Sequence, residues 1–151
     1  MIIESPAFKN GDRIASKYTC DGADISPELK WRDAPKNTKS FALISDDPDA
    51  PMGVFTHWII FNIPPSEGTL KEGIETKPTL PNGSIQGKTD FGRIGYGGPC
   101  PPSGTHRYRF HIYALDTMLS LSAGSTKQQV LRAIQGHVLE EAETFGLYSR
   151  R

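Results

Sequence analysis

The 151-residue chain is predicted to be mainly β, an antiparallel Greek-key β-sandwich of two sheets with one or two C-terminal helices. Short apolar runs alternate with Gly, Pro and Asp clusters, and the chain has 15 glycines and 12 prolines, a composition that favours turns. Helical periodicity begins only near residue 125. The length and the lack of a linker or repeat indicate one domain, residues 1–151.

Two strands are predicted in the first half of the chain. Residues 40–46 form a short apolar run that ends on acids and a proline, which favours a buried strand. Residues 55–63 form a second strand, which Pro64 and Pro65 end. Alternation places five of its side chains on one face: Phe55, His57, Ile59, Phe61 and Ile63. Both faces are largely apolar, so we expect this strand to be central in its sheet.

Residues 106–115 form a third predicted strand. One face carries His106, Tyr108, Phe110, Ile112 and Ala114. This face is apolar except at its start, where His106 and Tyr108 lie. His57 likewise lies near the start of the strand 55–63. Polar groups at the ends of apolar inner faces are what a pocket at the mouth of a sandwich requires.

The C-terminal part of the chain changes period. Residues 125–128 have the pattern of a capping-box helix start. Apolar residues then recur at helical spacing: Val130, Leu131, Ile134, Val138, Ala142 and Phe145. Gly146 is a natural stop. The pattern predicts a helix that runs to Gly146 and packs against the sandwich.

Charge and hydropathy limit the possible partners. Lys+Arg and Asp+Glu both number 17, so no basic surplus attracts nucleic acid. No segment approaches the roughly 20 apolar residues of a membrane span, and residues 1–6 do not resemble a signal peptide. We expect a cytoplasmic protein without stable membrane insertion. Apolar residues near the chain ends leave a homodimer open.

The two cysteines, Cys20 and Cys100, form neither a disulfide framework nor a zinc site by themselves. We expect two free thiols in a reducing compartment. The alternative is a Cys20–Cys100 bridge, which would tie an N-terminal loop to the loop before residue 106.

Two segments carry the chemistry of the chain. One is residues 46–51 (DDPDAP) with His57 beyond it, and the other is residues 95–108 (GYGGPCPPSGTHRY). Prolines stiffen the first segment, which can hold Asp47 beside a histidine and so orient its ring. The alternative is that Asp47 and Asp49 only end a strand and cap backbone amides.

The second segment predicts an anion-binding wall. His106 and Tyr108 converge on one strand face, and the glycines before them let backbone approach a ligand. We expect the Gly98 N–H to face this ligand. We expect Arg107, on the opposite face, to pair with Asp47 or Asp49. The remaining histidines, His111 and His137, are interpreted as structural.

The same residues offer two catalytic alternatives to binding. Asp47, His57 and His106 offer zinc-type ligands, but no local zinc motif is present. Ser103 precedes His106 by three positions, but it lies in a Gly/Pro loop without a nucleophile elbow. We therefore expect no enzymatic activity, no metal and no cofactor.

The two segments resemble the two signature regions of the phosphatidylethanolamine-binding protein family, which includes the Raf kinase inhibitor proteins. D-P-D-A-P with a following histidine is one region, and G-x-P…H-R-Y is the other. The opening residues 5–8, the run 18–27 and the ending near residues 136–137 resemble the family's short bacterial and archaeal branch. The resemblance covers essentially the whole chain.

The resemblance implies a non-catalytic protein that binds a small anion, such as a phosphate, a phosphoryl headgroup or a carboxylate. By position, the implied ligand-binding residues are Asp47, His57, Gly98, Pro101, Pro102, His106 and Tyr108. His57 and His106 would donate to the anion, Asp47 would orient a histidine, and Tyr108 would donate or pack. The implied partner is a protein kinase or a serine protease. The alternative is a serine-protease inhibitor acting through an exposed loop, for which residues 65–92 are the candidate.

Overall fold

The structure, a computed structural model, describes residues 1–150. In chain order its elements are β1 (Ile2–Glu4), a 3₁₀ turn (Ser16–Tyr18), β2 (Leu29–Arg32), β3 (Ser40–Asp47), β4 (Phe55–Ile63), β5 (Thr69–Leu70), β6 (Ile85–Gln86), β7 (His106–Leu115), α1 (Lys127–Ile134) and β8 (Val138–Tyr148). The strands form two antiparallel sheets, ordered β1-β2-β5 and β6-β4-β3-β7-β8. The predicted mainly β sandwich is confirmed.

The large sheet contains a Greek key. Strands β3, β4 and β6 lie side by side, and β7 then returns to the free edge of β3. This spatial order, with the fourth strand beside the first, defines the motif. As a result, β3 lies between β4 and β7, and all of its eight residues are buried.

Two apolar clusters hold the layers together. The larger lies between the two sheets and includes Trp31, Trp58 and Phe110. The smaller lies on the other face of the large sheet, where Ile59 and Phe61 pack with α1. The inner face predicted for β7 is confirmed, because Tyr108, Phe110, Ile112 and Ala114 all belong to the larger cluster.

The face predicted for β4 is wrong because the strand is irregular at two points. The pairing steps from Ser45↔Trp58 to Asp46↔Thr56, so His57 is an extra residue in the manner of a β-bulge. Beyond the bulge, Ile59 packs toward α1, whereas His57 lies on the inter-sheet side.

The second irregularity of β4 lies near its end. Asn62 adopts a positive φ of 54°, a conformation that asparagine tolerates better than most residues. Its side chain exchanges two hydrogen bonds with the backbone of Leu119, at 2.8 and 2.9 Å. After Asn62, the Ile63 side chain packs in the larger cluster between the sheets, whereas Phe61 packs in the smaller cluster on the other face.

The helix begins within one residue of the predicted start but ends much earlier. The capping box predicted over residues 125–128 lies one residue later: Thr126 Oγ1 accepts from the Gln129 N–H, and the Gln129 side chain accepts from the Thr126 N–H. The helix ends at Ile134, and Gly136 has a φ of 79°. The prediction of helix up to Gly146 is wrong.

The segment predicted as the end of the helix is the eleven-residue strand β8, which pairs along β7. Its buried side alternates through Thr144, Gly146 and Tyr148. Because threonine and glycine are not apolar side chains, the hydrophobic pattern of the sequence does not show this alternation. The helical spacing of Val138, Ala142 and Phe145 does not correspond to a helix.

The outer edge of β8 is covered by the N-terminal segment. Gly11 N–H donates to Phe145 O, Ile14 N–H donates to Leu147 O, and Leu147 N–H donates to Asp12 O, each at 2.8 Å. This pairing protects part of an otherwise open sheet edge. It also seats Ile14 directly over Gly146, where a Cβ atom would overlap the Ile14 side chain and lie 3.0 Å from Phe8 Cδ2.

We predict that Gly146→Ala lowers the free energy of unfolding by about 1–3 kcal/mol, because the added methyl group overpacks the space under Ile14. Urea denaturation measures this loss. In the double variant with Ile14→Ala, the combined loss should be smaller than the sum of the two single losses, because the overlap is removed. Strictly additive losses would show that the contact with Ile14 is not the cause.

Candidate functional site

A cavity of about 240 Å³ opens at the end of the large sheet where β3 ends and β4 and β7 begin. It is lined by Asp47, Ala50, Pro51, Phe55, His57, Phe91, Cys100, Pro101, Pro102, His106 and Tyr108. Its volume lies below the roughly 300–1,000 Å³ of pockets for drug-sized molecules, so it suits a small ligand. Of the seven binding residues predicted from sequence, all except Gly98 line this cavity.

Asp47 holds His106 in place. The His106 Nδ1 atom lies 2.6 Å from Asp47 Oδ2, and both side chains are buried. The other carboxylate oxygen, Oδ1, accepts from the Asp49 N–H at 2.8 Å. The carboxylate thus fixes the ring, as expected, while His106 Nε2 makes no hydrogen bond to any of residues 1–150.

His57 is held by a backbone carbonyl instead of a carboxylate. Its Nδ1 lies 2.7 Å from Gly97 O, and since a carbonyl can only accept, Nδ1 carries the hydrogen. Burial lowers the pKa of His57, although the Gly97 hydrogen bond and the charge of Asp47 oppose this shift. The neutral ring leaves Nε2 with a lone pair. We expected His57 to donate to an anion, whereas this tautomer presents an acceptor.

Tyr108 brings a third polar group to the cavity. Its side chain is almost fully buried, and its hydroxyl has no hydrogen-bond partner among the described residues. Burial, and after it the nearby Asp47 carboxylate, raise the pKa of the phenol. The hydroxyl therefore stays protonated and can donate to a ligand.

Aromatic rings surround the two histidines. The His57 ring centroid lies 5.0 Å from that of Phe55, 5.2 Å from Phe91 and 5.3 Å from Tyr108, and His106 stacks on Tyr108 at 6.3 Å. Phe55 and Phe91 were missed from sequence. Phe55 shares the predicted face of His57 and could have been found, but nothing in the sequence near Phe91 pointed to the site.

The wall formed by residues 95–102 is braced from behind. Gly98 N–H donates to Asp24 Oδ1 at 2.8 Å, and Tyr96 Oη donates to Tyr18 O at 2.8 Å. A Cβ atom on Gly98 would overlap the Tyr18 carbonyl. The expectation that the Gly98 N–H faces a ligand is therefore corrected: this glycine lets two protein segments approach closely.

A disulfide bond joins Cys20 to Cys100, whose Cα atoms are 5.5 Å apart. The expectation of two free thiols is wrong, and the alternative bridge is present. It fixes the cavity wall to the segment that contains the 3₁₀ turn, and the Cys20 N–H also contacts the wall by donating to Pro99 O at 3.1 Å. Because 80 residues separate the cysteines in sequence, only the folded chain shows that they meet.

Three neighbouring carboxylates have three different roles. Asp47 faces the cavity. Asp49 accepts two hydrogen bonds from the Arg107 guanidinium, at 2.8 and 2.9 Å, which confirms the expected ion pair and lowers the pKa of Asp49 to about 2. Asp46 lies on the opposite face of β3 and contacts Arg109 and Lys127, both at 2.7 Å.

Of the groups considered for catalysis, Asp47, His57 and His106 meet at the cavity, whereas Ser103 does not line it. Among residues 1–150, no group of His, Cys, Asp or Glu side chains is arranged to hold a metal ion. Ser103 lines a separate depression with Arg13, Asp21 and Tyr148. His111 pairs with Glu141, and His137 pairs with Asp116, both at 2.8 Å and away from the cavity.

The fold and cavity define a β-sandwich protein with a small, largely apolar cavity at its strand ends that carries a few polar side chains. Comparison with known proteins identifies the group to which it belongs: the profile of the family described as phosphatidylethanolamine-binding protein matches residues 4–149. The chain therefore belongs to the phosphatidylethanolamine-binding protein family.

Relatives and solved structures agree with this assignment. The UPF0098 protein of Methanothermobacter thermautotrophicus is 55% identical over 150 residues, which cover 99% of both chains. CT736 of Chlamydia trachomatis, described as a homologue of phosphatidylethanolamine-binding protein, superposes with a TM-score of 0.92 at 41% identity over 99% of this chain and 97% of its own. YbcL of E. coli, described as a new member of the mammalian family, superposes with a TM-score of 0.91 at 32% identity. The match covers 99% of this chain and 98% of YbcL.

The sequence predicts no membrane span, a cytoplasmic location and an open possibility of a homodimer. Within residues 1–150, no helix is both long enough and apolar enough to cross a membrane. The cytoplasmic location stays a prediction, and so does the homodimer.

We predict that removing the disulfide with the paired substitutions Cys20→Ser and Cys100→Ser lowers the free energy of unfolding by about 2–4 kcal/mol, because the bond restricts the unfolded chain. Urea denaturation of the wild type and the variant measures this difference. Reductant should shift the wild type toward the variant and leave the variant itself unchanged. Superimposable curves would contradict a stabilising bond.

We predict that His57 titrates below its ordinary pKa of about 6.5, because burial disfavours the charged ring. Between the lowered pKa of His57 in the folded protein and its pKa of about 6.5 in the unfolded chain, the unfolded chain binds more protons than the folded one. The stability contributed through His57 is therefore complete above about pH 6.5 and declines as the pH falls toward the folded pKa. Ring NMR shifts give the folded pKa directly. A midpoint at or above 6.5 would contradict a neutral His57.

Proposed function

We propose that this protein is a non-catalytic binding protein whose cavity takes a small anion: a phosphate, a phosphoryl headgroup or a carboxylate. One observation carries the proposal. His57 Nε2, His106 Nε2 and the Tyr108 hydroxyl border one small cavity, and none has a hydrogen-bond partner among residues 1–150. The Tyr108 hydroxyl is fully buried, and because buried polar groups in native proteins are normally paired, a ligand that supplies its missing partner fits this cavity.

Two of these groups can donate to an anion. The Tyr108 hydroxyl stays protonated, and His106, whose Nδ1 donates to the Asp47 carboxylate, donates through Nε2 when the ring is charged. Arg107 is not available for this role, since Asp49 already holds its guanidinium.

The lining supports binding rather than covalent chemistry. It contains no serine, threonine or lysine, and the sulfur of Cys100 is engaged in the disulfide. A nucleophile with an adjacent base, which a hydrolase of the serine type needs, is thus lacking among the residues that line the cavity. This supports the expectation of a protein without enzymatic activity.

Regulation of a partner protein is the further part of the proposal. Beside the cavity-lining Pro51 and Phe55, the side chains of Met52 and Val54 are exposed, and Met52 is 99% exposed. Exposed apolar side chains at the mouth of a ligand cavity favour a protein partner that senses whether the cavity is filled. A kinase or a serine protease remains the predicted partner class.

A serine-protease inhibitor acting through residues 65–92 is the second candidate. Most of the residues in 71–79 are exposed. The buried Gln86 side chain donates to the carbonyls of Glu75 and Lys77, at 2.7 and 2.8 Å, and so holds this exposed segment. A segment that is held in advance loses less entropy when it binds. Inhibition of a chymotrypsin-like protease that survives His57→Ala would favour this candidate.

We predict that Tyr108→Phe weakens phosphate binding about 3- to 10-fold, because it removes one donor. The same change should stabilise the ligand-free protein by about 1 kcal/mol, since the unpaired buried hydroxyl disappears. Histidine-ring NMR shifts during phosphate and phosphoethanolamine titrations give the affinities, and urea denaturation gives the stability.

His111→Ala is the matched control for these titrations. His111 lies on the same strand as Tyr108 but on the opposite face, where it pairs with Glu141. Its removal should leave the affinity unchanged. Wild-type His57 and His106 rings that do not shift at millimolar phosphate would overturn the anion-binding proposal and make the protease assay the next experiment.

A further inference from the structure

His57 is fixed as a hydrogen-bond acceptor by two contacts with one residue. Its Nδ1–H donates to Gly97 O at 2.7 Å, and the Gly97 N–H donates back to His57 O at 3.0 Å. The ring cannot turn to offer Nδ1 to a ligand without breaking the contact with the carbonyl. The atom left for a ligand is Nε2, which carries a lone pair in the neutral ring.

No protein group satisfies this lone pair. The rings packed against His57 are Phe55, Phe91 and Tyr108. The one hydrogen bond of the His57 ring to residues 1–150 is that of Nδ1 to Gly97 O. The charged groups acting on the ring are carboxylates, of which Asp47 is the one that lines the cavity. A ligand must therefore bring its own hydrogen to His57 Nε2, although the same ligand accepts from Tyr108 and, when the His106 ring is charged, from His106 Nε2.

Asp47 does not provide this acceptor function in place of His57. Its Oδ2 accepts from His106 and its Oδ1 accepts from the Asp49 N–H. The cavity thus combines the Tyr108 donor, joined by His106 Nε2 only when that ring is charged, with an acceptor that the protein leaves unpaired at His57 Nε2.

We infer that His57 makes the cavity selective for a phosphoryl group that bears a P–O–H hydrogen, either inorganic phosphate or a phosphomonoester, over sulfate and phosphodiesters. Phosphate and sulfate are tetrahedral oxyanions of nearly the same size, but near pH 7 phosphate keeps at least one hydrogen and sulfate keeps none. Sulfate would place an oxygen lone pair against the Nε2 lone pair and leave both unsatisfied. A site built around a hydrogen bond discriminates strongly against an analogue that lacks it. The inference rests on the proposed anion-binding function.

The test compares inorganic phosphate with sulfate by calorimetric titration of the whole protein at about pH 7 and equal ionic strength. We expect sulfate to bind at least about tenfold more weakly. In His57→Ala, the phosphate-to-sulfate ratio should fall to within about threefold of one, whereas His111→Ala should keep the wild-type ratio. This comparison separates the effect of the acceptor from the different charges of the two anions.

A measurement on the wild type keeps the inference testable if His57→Ala does not fold. Long-range ¹H–¹⁵N spectra distinguish protonated from bare ring nitrogens. We expect a bare Nε2 in His57 whose signal moves when phosphate is added and not when sulfate is added. A protonated Nε2 in the ligand-free protein near pH 7 would overturn the inference.

The remaining outcomes separate the two proposals. Equal affinities for phosphate and sulfate, or a ratio that His57→Ala leaves unchanged, would overturn the selectivity while anion binding stands. If neither anion binds, the proposed function fails and the selectivity falls with it. Methyl phosphate, titrated in parallel at about pH 5.5, where it is mostly the monoanion because its second pKa is about 6, distinguishes the sources. Binding of its monoanion assigns a phosphomonoester, and its exclusion with phosphate still bound assigns free phosphate.

Discussion

The pairing of β3 with both β4 and β7 is the constraint on which the site depends. Because β3 is buried on both faces, its register with each neighbour is fixed by packing as well as by the backbone ladder. Antiparallel pairing brings the end of β3 beside the starts of β4 and β7. Asp47, His57 and His106, which are distant in sequence, therefore meet at one end of the sheet. A one-residue slip would turn Asp47 toward the face that Asp46 shares with Arg109 and Lys127.

Two kinds of polar group coexist around the cavity. Those behind the wall are satisfied: Gly98 contacts Asp24, Tyr96 contacts Tyr18, and the disulfide locks Cys100 to Cys20. Those that border the cavity are not, since Tyr108 and the Nε2 atoms of both histidines have no partners among the described residues. A rigid wall with unpaired groups in front of it is a preorganised binding site, in which the ligand completes a network that the protein leaves open.

Much of this arrangement was readable from the chain. The strands 55–63 and 106–115 and the alternation along β7 follow from local rules, and the structure bears them out. The structure also contains the expected Arg107–Asp49 pair, whereas the capping box lies one residue later than expected, at Thr126 and Gln129. The failures have specific causes. The β4 faces were wrong because a bulge inserts His57 and a positive φ at Asn62 shifts Ile63. The prediction of a helix up to Gly146 was wrong because residues 138–148 pair with β7 as a strand.

The sequence by itself determined the sandwich class, the family resemblance and the residue types gathered in residues 46–57 and 95–108, because alternation, turn residues and short motifs are local properties. Only the tertiary structure decided which partners those residues take. The Cys20–Cys100 bond, the contact of Gly98 with Asp24 and the tautomer of His57 each depend on a group that lies far away in sequence. Such contacts arise when strands pair and loops pack, so the direction in which each histidine donates or accepts is a property of the fold.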